Sequence, residues 1–142
     1  MYYTIRHICR VAACPARHVA RHIVVMPSAR TAVQEAYIPW KKLNLATLAS
    51  LKTEEQIQNG QRLTKAQLTA PLLCRAAGFA GEPTCLLLTD DAGSHWLFGT
   101  GSAPYPLITN HISSAEGKAR ETVEALWETP MPLCQLIKSE YF

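Results

Sequence analysis

The sequence has no apolar run that approaches the ~18–20 residues needed to cross a bilayer. Its first segment also lacks the apolar core of a secretory signal, because Arg6, His7 and Arg10 interrupt it. These absences argue against a membrane-spanning helix and against a targeting segment. We therefore expect a cytoplasmic protein without a membrane partner.

Charged residues are scarce, at 18%, while apolar residues make up 48% of the chain. This balance argues against an intrinsically disordered chain. The length of 142 residues fits a single domain, residues 1–142, that can bury a core without disulfides or a metal. The five cysteines are odd in number and scattered, which is not typical of a disulfide framework. We expect free thiols in a reducing compartment.

Acidic residues are missing from the start of the chain, where the first one is Glu35. Residues 1–75 hold eleven Lys and Arg against three Glu, a net charge of +8, whereas residues 76–142 hold three against eight, a net charge of −5. Such asymmetry indicates an anionic partner for the N-terminal half. It also fits neutralisation of one half by the other within one fold, or self-association of two copies.

The N-terminal residues favour two extended segments. Residues 2–13 alternate with a period of two, so that Tyr3, Ile5, Cys9 and Val11 share one parity while Thr4, Arg6 and Arg10 share the other. Residues 17–26 end in β-branched side chains, which also favour a strand. A hairpin of these two segments is the preferred interpretation. A helix over residues 16–22 is the alternative.

Further strands are predicted in the second half of the chain. Residues 84–88 form a continuous apolar run, which is typical of a buried strand, and residues 95–98 resume an extended pattern after a turn-rich segment. This pair is the clearest hairpin signal. Residues 99–106 are predicted as a loop because two prolines cannot donate to a sheet. Residues 133–137 are predicted as a short closing strand.

A short helix is predicted at residues 29–37, because Ser28 could cap it. Pro39 begins another apolar periodic run, which contains Trp40, Leu43, Leu48 and Leu51. Capping signals predict further helices. Thr53, Thr64 and Ser113 each precede a Glu or Gln by three residues, which is the spacing of a capping box. Asn59-Gly60 is interpreted as a helix stop. A helix that began after Ser113 would have an apolar face formed by Ala119, Val123, Leu126 and Trp127.

The predicted fold class is therefore α+β. It is a single domain with an antiparallel sheet of four to five strands and three to four helices packed mainly on one face. The predicted core comprises Ile5, Val11, Val19, Ile23, Val25, Leu43, Leu48, Leu68, Leu86, Leu88, Leu97, Val123, Leu126 and Trp127.

Basic residues dominate the predicted N-terminal hairpin. Two Arg-His pairs recur four residues apart, and two arginines of the preceding strand would join them on one sheet face. Guanidinium groups match phosphate and carboxylate because their donors form a planar fork. We predict a non-enzymatic binding or regulatory protein that engages nucleic acid or an acidic protein surface through this hairpin. The predicted partner-binding residues are Arg6, Arg10, Arg17, His18, Arg21 and His22.

Other reactive residues do not form a motif. A helix over residues 16–22 would place His18 and His22 one turn apart near Cys9 and Cys14, but this spacing matches no common zinc pattern. Asp90, Ser94 and His95 crowd one turn, whereas catalytic triads are assembled from distant segments. The glycine-rich residues 99–102 lack a following helix. Cys14 has basic neighbours, but nothing separates it from an inert thiol. We predict no catalytic residue, metal or cofactor.

An alternative hypothesis is a small-molecule-binding domain or a small enzyme. Its pocket would lie between the sheet and the helices, with walls from Trp40, His95, Trp96 and Tyr105. A third hypothesis is an interaction module that contacts a partner through aromatic residues near the two termini, namely Tyr2, Tyr3, Tyr141 and Phe142.

One part of the sequence resembles a known family. Residues 86–88, the segment Asp-Ala-Gly-Ser-His-Trp-Leu at 91–97, Pro104 and residues 132–133 resemble the central strands of chorismate lyase and related ligand-binding domains, over about a third of the chain. The resemblance implies carboxylate binding by arginines of these strands. The matching region here carries Thr84, Cys85 and Thr100 instead of arginine, so the chain is not assigned to that family.

Overall fold

The computed structural model describes residues 2–73, 82–115 and 118–138. These three stretches contain eleven strands and one α-helix. The strands are Tyr2–Pro15 (β1), Ile23–Met26 (β2), Thr31–Gln34 (β3), Lys41–Leu43 (β4), Ala49–Gln58 (β5), Gln61–Leu72 (β6), Thr84–Asp90 (β7), His95–Phe98 (β8), Leu107–Ala115 (β9), Lys118–Thr129 (β10) and Cys134–Lys138 (β11). The helix α1 spans Ala16–His22, and a 3₁₀ turn spans Pro27–Ala29.

The α+β prediction with three to four helices is wrong, because the described chain is mostly β. All its strands join one mixed sheet in the order β2-β3-β11-β8-β7-β1-β5-β6-β10-β9, and β4 pairs with the second half of β1. Strands β3 and β11 are parallel, and the other recorded strand pairs are antiparallel. The parallel pair also departs from the predicted all-antiparallel sheet.

The helices predicted from the capping-box spacings at Thr53 and Thr64 are absent, and both residues lie in strands instead. Thr53 lies inside β5 and Thr64 inside β6, where the spacing of a capping box occurs without a helix. Asn59 and Gly60, interpreted as a helix stop, form the two-residue turn between these strands, with φ of 52° and 76°. Positive φ at both positions is the signature of a hairpin turn that suits the twist of the strands. Asn59-Gly60 therefore marks a hairpin turn between two strands and not the end of a helix.

The other predicted helices are also strands. Residues 29–37 hold the end of the 3₁₀ turn and β3, and residues 40–51 hold β4 and the start of β5. The segment after Ser113 continues β9 and then forms β10, on which buried residues alternate as Val123, Ala125 and Trp127. That spacing of two is strand periodicity. The spacing of Ala119, Val123, Leu126 and Trp127, which suggested one face of a helix, therefore does not mark a helix.

The N-terminal hairpin prediction is wrong, and the alternative helix is present. Strand β1 pairs with β4, β5 and β7, whereas β2 pairs with β3. Residues Ala16 and Val19 of α1 are buried, and the amide of Ala16 donates to the carbonyl of Pro83 at 2.8 Å. Pro15 immediately before the helix suits this start, because its fixed φ favours the turn into a helix.

A bulge in β1 reverses the expected parity of that strand. Ile8 faces Asp90 and Arg10 faces Thr89 on β7, which leaves Cys9 as an extra residue. Ile8 and Val11 are therefore both buried although they are three positions apart. Before the bulge, Thr4, Arg6 and Ile8 share the inner face by alternation, and the predicted core residue Ile5 is 57% exposed.

Strand β7 separates two apolar clusters, since its residues are buried on both faces. The first cluster includes Ile8, Val11, Leu51, Leu68, Leu86, Leu88, Phe98, Val123, Trp127 and Leu133. The second includes Cys14, Val19, Ile23, Ala32, Cys85, Leu87, Leu97, Cys134 and Leu136. The predicted β7–β8 hairpin, the loop at 99–106 and the strand at 133–137 are confirmed. Leu48, predicted to be core, is 53% exposed.

The described residues contain no helix that is both long and apolar enough to cross a membrane. Helix α1 has only seven residues.

Candidate functional site

A cleft of about 500 Å³ opens over the first apolar cluster, on the face of the sheet opposite to α1. Strands β1 and β5 form one side of it. Strands β8 and β11 and the residues just before β3 form the other side. The residues that decide its chemistry are Arg6, Arg30, Thr53, Glu55, Trp96 and Leu133.

Strand register brings the polar residues of β1 and β5 together. Thr4 lies directly opposite Thr53, and Arg6 lies opposite Leu51, which is fully buried. Directly opposed residues of antiparallel strands project to the same face. The face that buries Leu51 and Ile8 therefore continues as the polar wall of the cleft.

Arg6 lies over an aromatic ring in this cleft. Its guanidinium carbon is 4.2 Å from the centroid of the Trp96 ring, a distance typical of a cation–π contact. No carboxylate of residues 2–73, 82–115 or 118–138 lies within ion-pair distance, 4.0 Å, of Arg6. The same stretches provide no hydrogen-bond acceptor for the guanidinium. Within these stretches its five N–H donors therefore have no acceptor.

Asp90 holds the Trp96 ring in position under Arg6 by a hydrogen bond. The indole Nε1 of Trp96 donates to Asp90 Oδ2 at 2.9 Å, while the amides of Ala92 and Ser94 donate to Oδ1 at 3.0 and 2.9 Å. Burial raises the pKa of Asp90, but these hydrogen bonds and the charge of Arg6 outweigh it and lower that pKa below its usual value. Asp90 is therefore an anion whose oxygens are already occupied by donors.

Thr53 lines the cleft, and its hydroxyl is buried without a partner among the described residues. The residue is 6% exposed, and its Oγ1 has no hydrogen-bond partner among the described residues. Thr64, which lies opposite Glu55 on β6, has the same property. Leaving a buried hydroxyl unbonded costs about 1–3 kcal/mol, so a polar group that reached Thr53 would recover this energy.

An ion pair bridges the two sides of the cleft. Arg30 donates from Nη1 to Glu55 Oε1 at 2.7 Å and from Nη2 to Oε2 at 3.4 Å. Arg30 follows the 3₁₀ turn in a left-handed conformation, with φ of 53°, and its carbonyl accepts from the amide of Gln135 at 2.9 Å. The pair joins the β3–β11 side of the sheet to β5.

The charged residues that line the cleft sum to +1, because Arg6 and Arg30 face one carboxylate, Glu55. The described lining contains no Cys, His or Ser that could act as a nucleophile or base. Within the described chain, no three His, Cys, Asp or Glu residues are placed to hold a metal. The arrangement suits binding of a small anion.

The six predicted partner-binding residues do not share one face. Arg6 lines the cleft, whereas Arg10 lies beyond the bulge on the face of Ala12 and Cys14, which is also the face of α1. Arg17 of α1 forms an ion pair with Glu82. Three further residues of the helix complete the set, with Arg21 exposed and His18 and His22 half-buried.

The other predicted chemical groups are separated or occupied. Asp90 bonds to Trp96 on one face of the β7–β8 hairpin, whereas His95 bonds to Thr89 Oγ1 at 2.8 Å, and alternation places this pair on the other face. Burial raises the pKa of Cys14 to about 11, although Arg17 acts in the opposite direction. A thiol with such a pKa is a poor nucleophile at neutral pH.

The pocket walls predicted from the sequence are only partly found at the cleft. Of the four aromatic and His residues proposed, Trp96 lines it. Trp40 packs against the second cluster and donates to Gln34 Oε1 at 3.3 Å, and Tyr105 is 46% exposed. Of the terminal aromatic residues, Tyr3 is 59% exposed, while Tyr141, Phe142 and the side chain of Tyr2 lie outside the described part.

Sequence reasoning missed Arg30, Thr53 and Glu55. Residues Leu51, Thr53 and Glu55 alternate along β5, and this alternation was a usable signal. It was hidden because Thr53 also begins a capping-box spacing. Arg30 carried no local signal, since its role depends on the approach of β5.

Comparisons of the chain with protein-family models, with curated proteins and with solved structures find no match.

Proposed function

We propose that this protein is a non-enzymatic ligand-binding protein whose cleft holds a small molecule by a carboxylate group on Arg6. The observation that supports this function is the Arg6 guanidinium itself. It is positioned over Trp96 in a cleft and has no acceptor within the described chain.

Charge and hydrogen bonding favour a carboxylate at this position. Arginine presents two parallel N–H donors that match the two oxygens of a carboxylate. Stacking on Trp96 restricts the guanidinium before a ligand arrives, which reduces the ordering cost of binding. Asp90 attracts Arg6 by charge, but its oxygens accept three other hydrogen bonds and it forms no ion pair with Arg6 within 4.0 Å.

The remaining wall suits an amphipathic molecule. Leu133 is 4% exposed and belongs to the first apolar cluster, so it offers an apolar floor beside Trp96. A volume of about 500 Å³ falls within the range of small-molecule sites. We therefore propose an acid with a short apolar body, bound in a cytoplasmic protein.

Calorimetric titration with hexanoate tests the function. The Arg6→Gln variant should weaken binding by about tenfold or more, because a charge-assisted hydrogen bond contributes about 1.5–3 kcal/mol. The matched control is Arg10→Gln, which removes the same charge from the same strand on the opposite face. Equal affinity in the wild type and Arg6→Gln would overturn the proposal, as would absence of binding of hexanoate to the wild type at millimolar concentration.

A second candidate function concerns the face that carries α1. Arg10, Arg17, His18, Arg21 and His22 lie on this side of the sheet, and Arg21 is exposed. We propose that nucleic acid, an acidic protein or an acidic surface of a second copy binds there. Salt should weaken such binding to a DNA oligonucleotide, and Arg21→Gln should weaken it more than Arg62→Gln on β6. Unchanged affinity in Arg21→Gln would reject this face.

A further inference from the structure

On the basis of the proposed carboxylate site, we infer that Glu55 restricts the cleft to singly charged acids. The Arg30–Glu55 pair makes Glu55 a specificity-determining residue, because it cancels one of the two positive charges that line the cleft.

The geometry of the pair keeps the Glu55 carboxylate in place. Its side chain is 21% exposed, and both of its oxygens accept from Arg30. The backbone of Glu55 lies between two paired strands, opposite Tyr2 on β1 and opposite Thr64 on β6. Because the sheet holds this backbone on both sides, the point from which the Glu55 side chain enters the cleft is fixed.

A second carboxylate on the ligand would meet this fixed charge. Arg30 and Glu55 are the other charged residues of the lining, so a dianion held on Arg6 by one carboxylate brings its second carboxylate into a cleft that already holds the Glu55 charge. Like charges a few ångströms apart in a partly buried site repel, and the repulsion corresponds to about tenfold in affinity. A monoanion meets only the net charge of +1 and avoids this repulsion.

Hexanoate and adipate are matched probes, since both have a six-carbon chain and they differ by one carboxylate. In calorimetric titrations at neutral pH, the wild type should bind hexanoate about tenfold more tightly than adipate. The Glu55→Gln variant, which raises the charge of the lining to +2, should bind adipate at least as tightly as hexanoate. The matched control Glu54→Gln removes a carboxylate that pairs with Lys52 on the opposite face, and it should retain the preference of the wild type.

The outcomes distinguish the inference about Glu55 from the proposed function, carboxylate binding by Arg6, on which it rests. If hexanoate binds through Arg6 but Glu55→Gln keeps the preference for hexanoate, the inference is wrong and the proposed function stands. If neither acid binds to the wild type, both are wrong. If Glu55→Gln fails to fold, Arg30→Gln replaces it. That variant removes the ion-pair partner of Glu55 and lowers the charge of the lining to zero, so it should increase the preference for hexanoate over adipate. A preference in Arg30→Gln that is unchanged from the wild type would overturn the inference.

Discussion

The Trp96 ring is stacked under the Arg6 guanidinium at 4.2 Å, and the N–H of the same ring donates to Asp90. One indole thus connects three strands, β1, β7 and β8. It also connects a buried anion to the cation of the proposed binding site. The stability of the fold and the position of the ligand-binding group therefore depend on the same contacts.

Replacing Trp96 by Phe should lower the free energy of unfolding by about 1.5–3 kcal/mol, because a buried carboxylate loses a donor. Urea unfolding followed by circular dichroism measures this loss. Trp40→Phe is the matched control, since the Trp40 indole donates to the neutral Gln34 at 3.3 Å and its loss should cost about 0.5–1.5 kcal/mol. Equal losses in the two variants would show that the hydrogen bond to Asp90 contributes no more to stability than the hydrogen bond to Gln34.

Asp90 should make stability depend on pH in the acid range. Its pKa in the folded state lies below the ordinary value of 3.8, so its contribution is complete above about pH 3.8 and is lost as the pH falls through the lowered value. The stability difference between the wild type and Asp90→Asn should therefore shrink in more acidic solution. Urea titrations across this range measure it, with the exposed Asp91→Asn as control. A constant difference would contradict the assignment.

Removal of the Thr53 hydroxyl should stabilise the protein, because this buried group has no described hydrogen-bond partner. Thr53→Val and Thr64→Val each delete a buried hydroxyl without a described partner, which should raise the free energy of unfolding by about 1 kcal/mol. Thr129→Val should lower it by a similar amount, about 1 kcal/mol, because the Thr129 hydroxyl accepts from the amide of Met131 at 3.2 Å. Thermal unfolding compares the three. Destabilisation by Thr53→Val would indicate that its hydroxyl is bonded.

Two glycines with similar backbone angles should respond differently to alanine. Gly60 has φ of 76° and open space around it, so Gly60→Ala should cost about 1 kcal/mol from the backbone alone. Gly101 has φ of 82°, and a Cβ there would lie 2.5 Å from the amide nitrogen of Ala20 in α1. Gly101→Ala should therefore cost about 3 kcal/mol or more, since backbone atoms must shift. Equal costs in denaturant unfolding would contradict this close contact with the helix.

Local sequence patterns predicted the correct element where they agreed with the tertiary packing. The apolar run at 84–88 and the turn after it specify the β7–β8 hairpin, because burial on both faces and a tight turn have few other solutions. The capping-box spacings at Thr53 and Thr64 failed because a local pattern cannot reveal that these residues lie on adjacent paired strands. Strand pairing is decided by tertiary contacts.

The candidate site shows the same limit. Arg6 was selected from the sequence for its charge, but its environment depends on the β7–β8 hairpin that carries Trp96. Arg30 and Glu55 are 25 positions apart, and their contact follows from how the sheet brings its segments together. Residue type predicted the chemistry of the guanidinium. The strand order and register that assemble its surroundings have no local signature.

The extra residue at Cys9 makes β1 serve two surfaces. In an unbroken strand, residues four positions apart lie on one side, but the bulge places Arg6 in the cleft and Arg10 with α1. Deletion of Cys9 would remove the bulge but would also leave Arg6 and Arg10 three positions apart, which in an unbroken strand is again opposite sides of the sheet. Pairing of Cys9 as an ordinary residue, with no bulge, would instead carry Arg10 over to the side of the cleft. The bulge thus lets a single strand supply a cation to each face of the sheet.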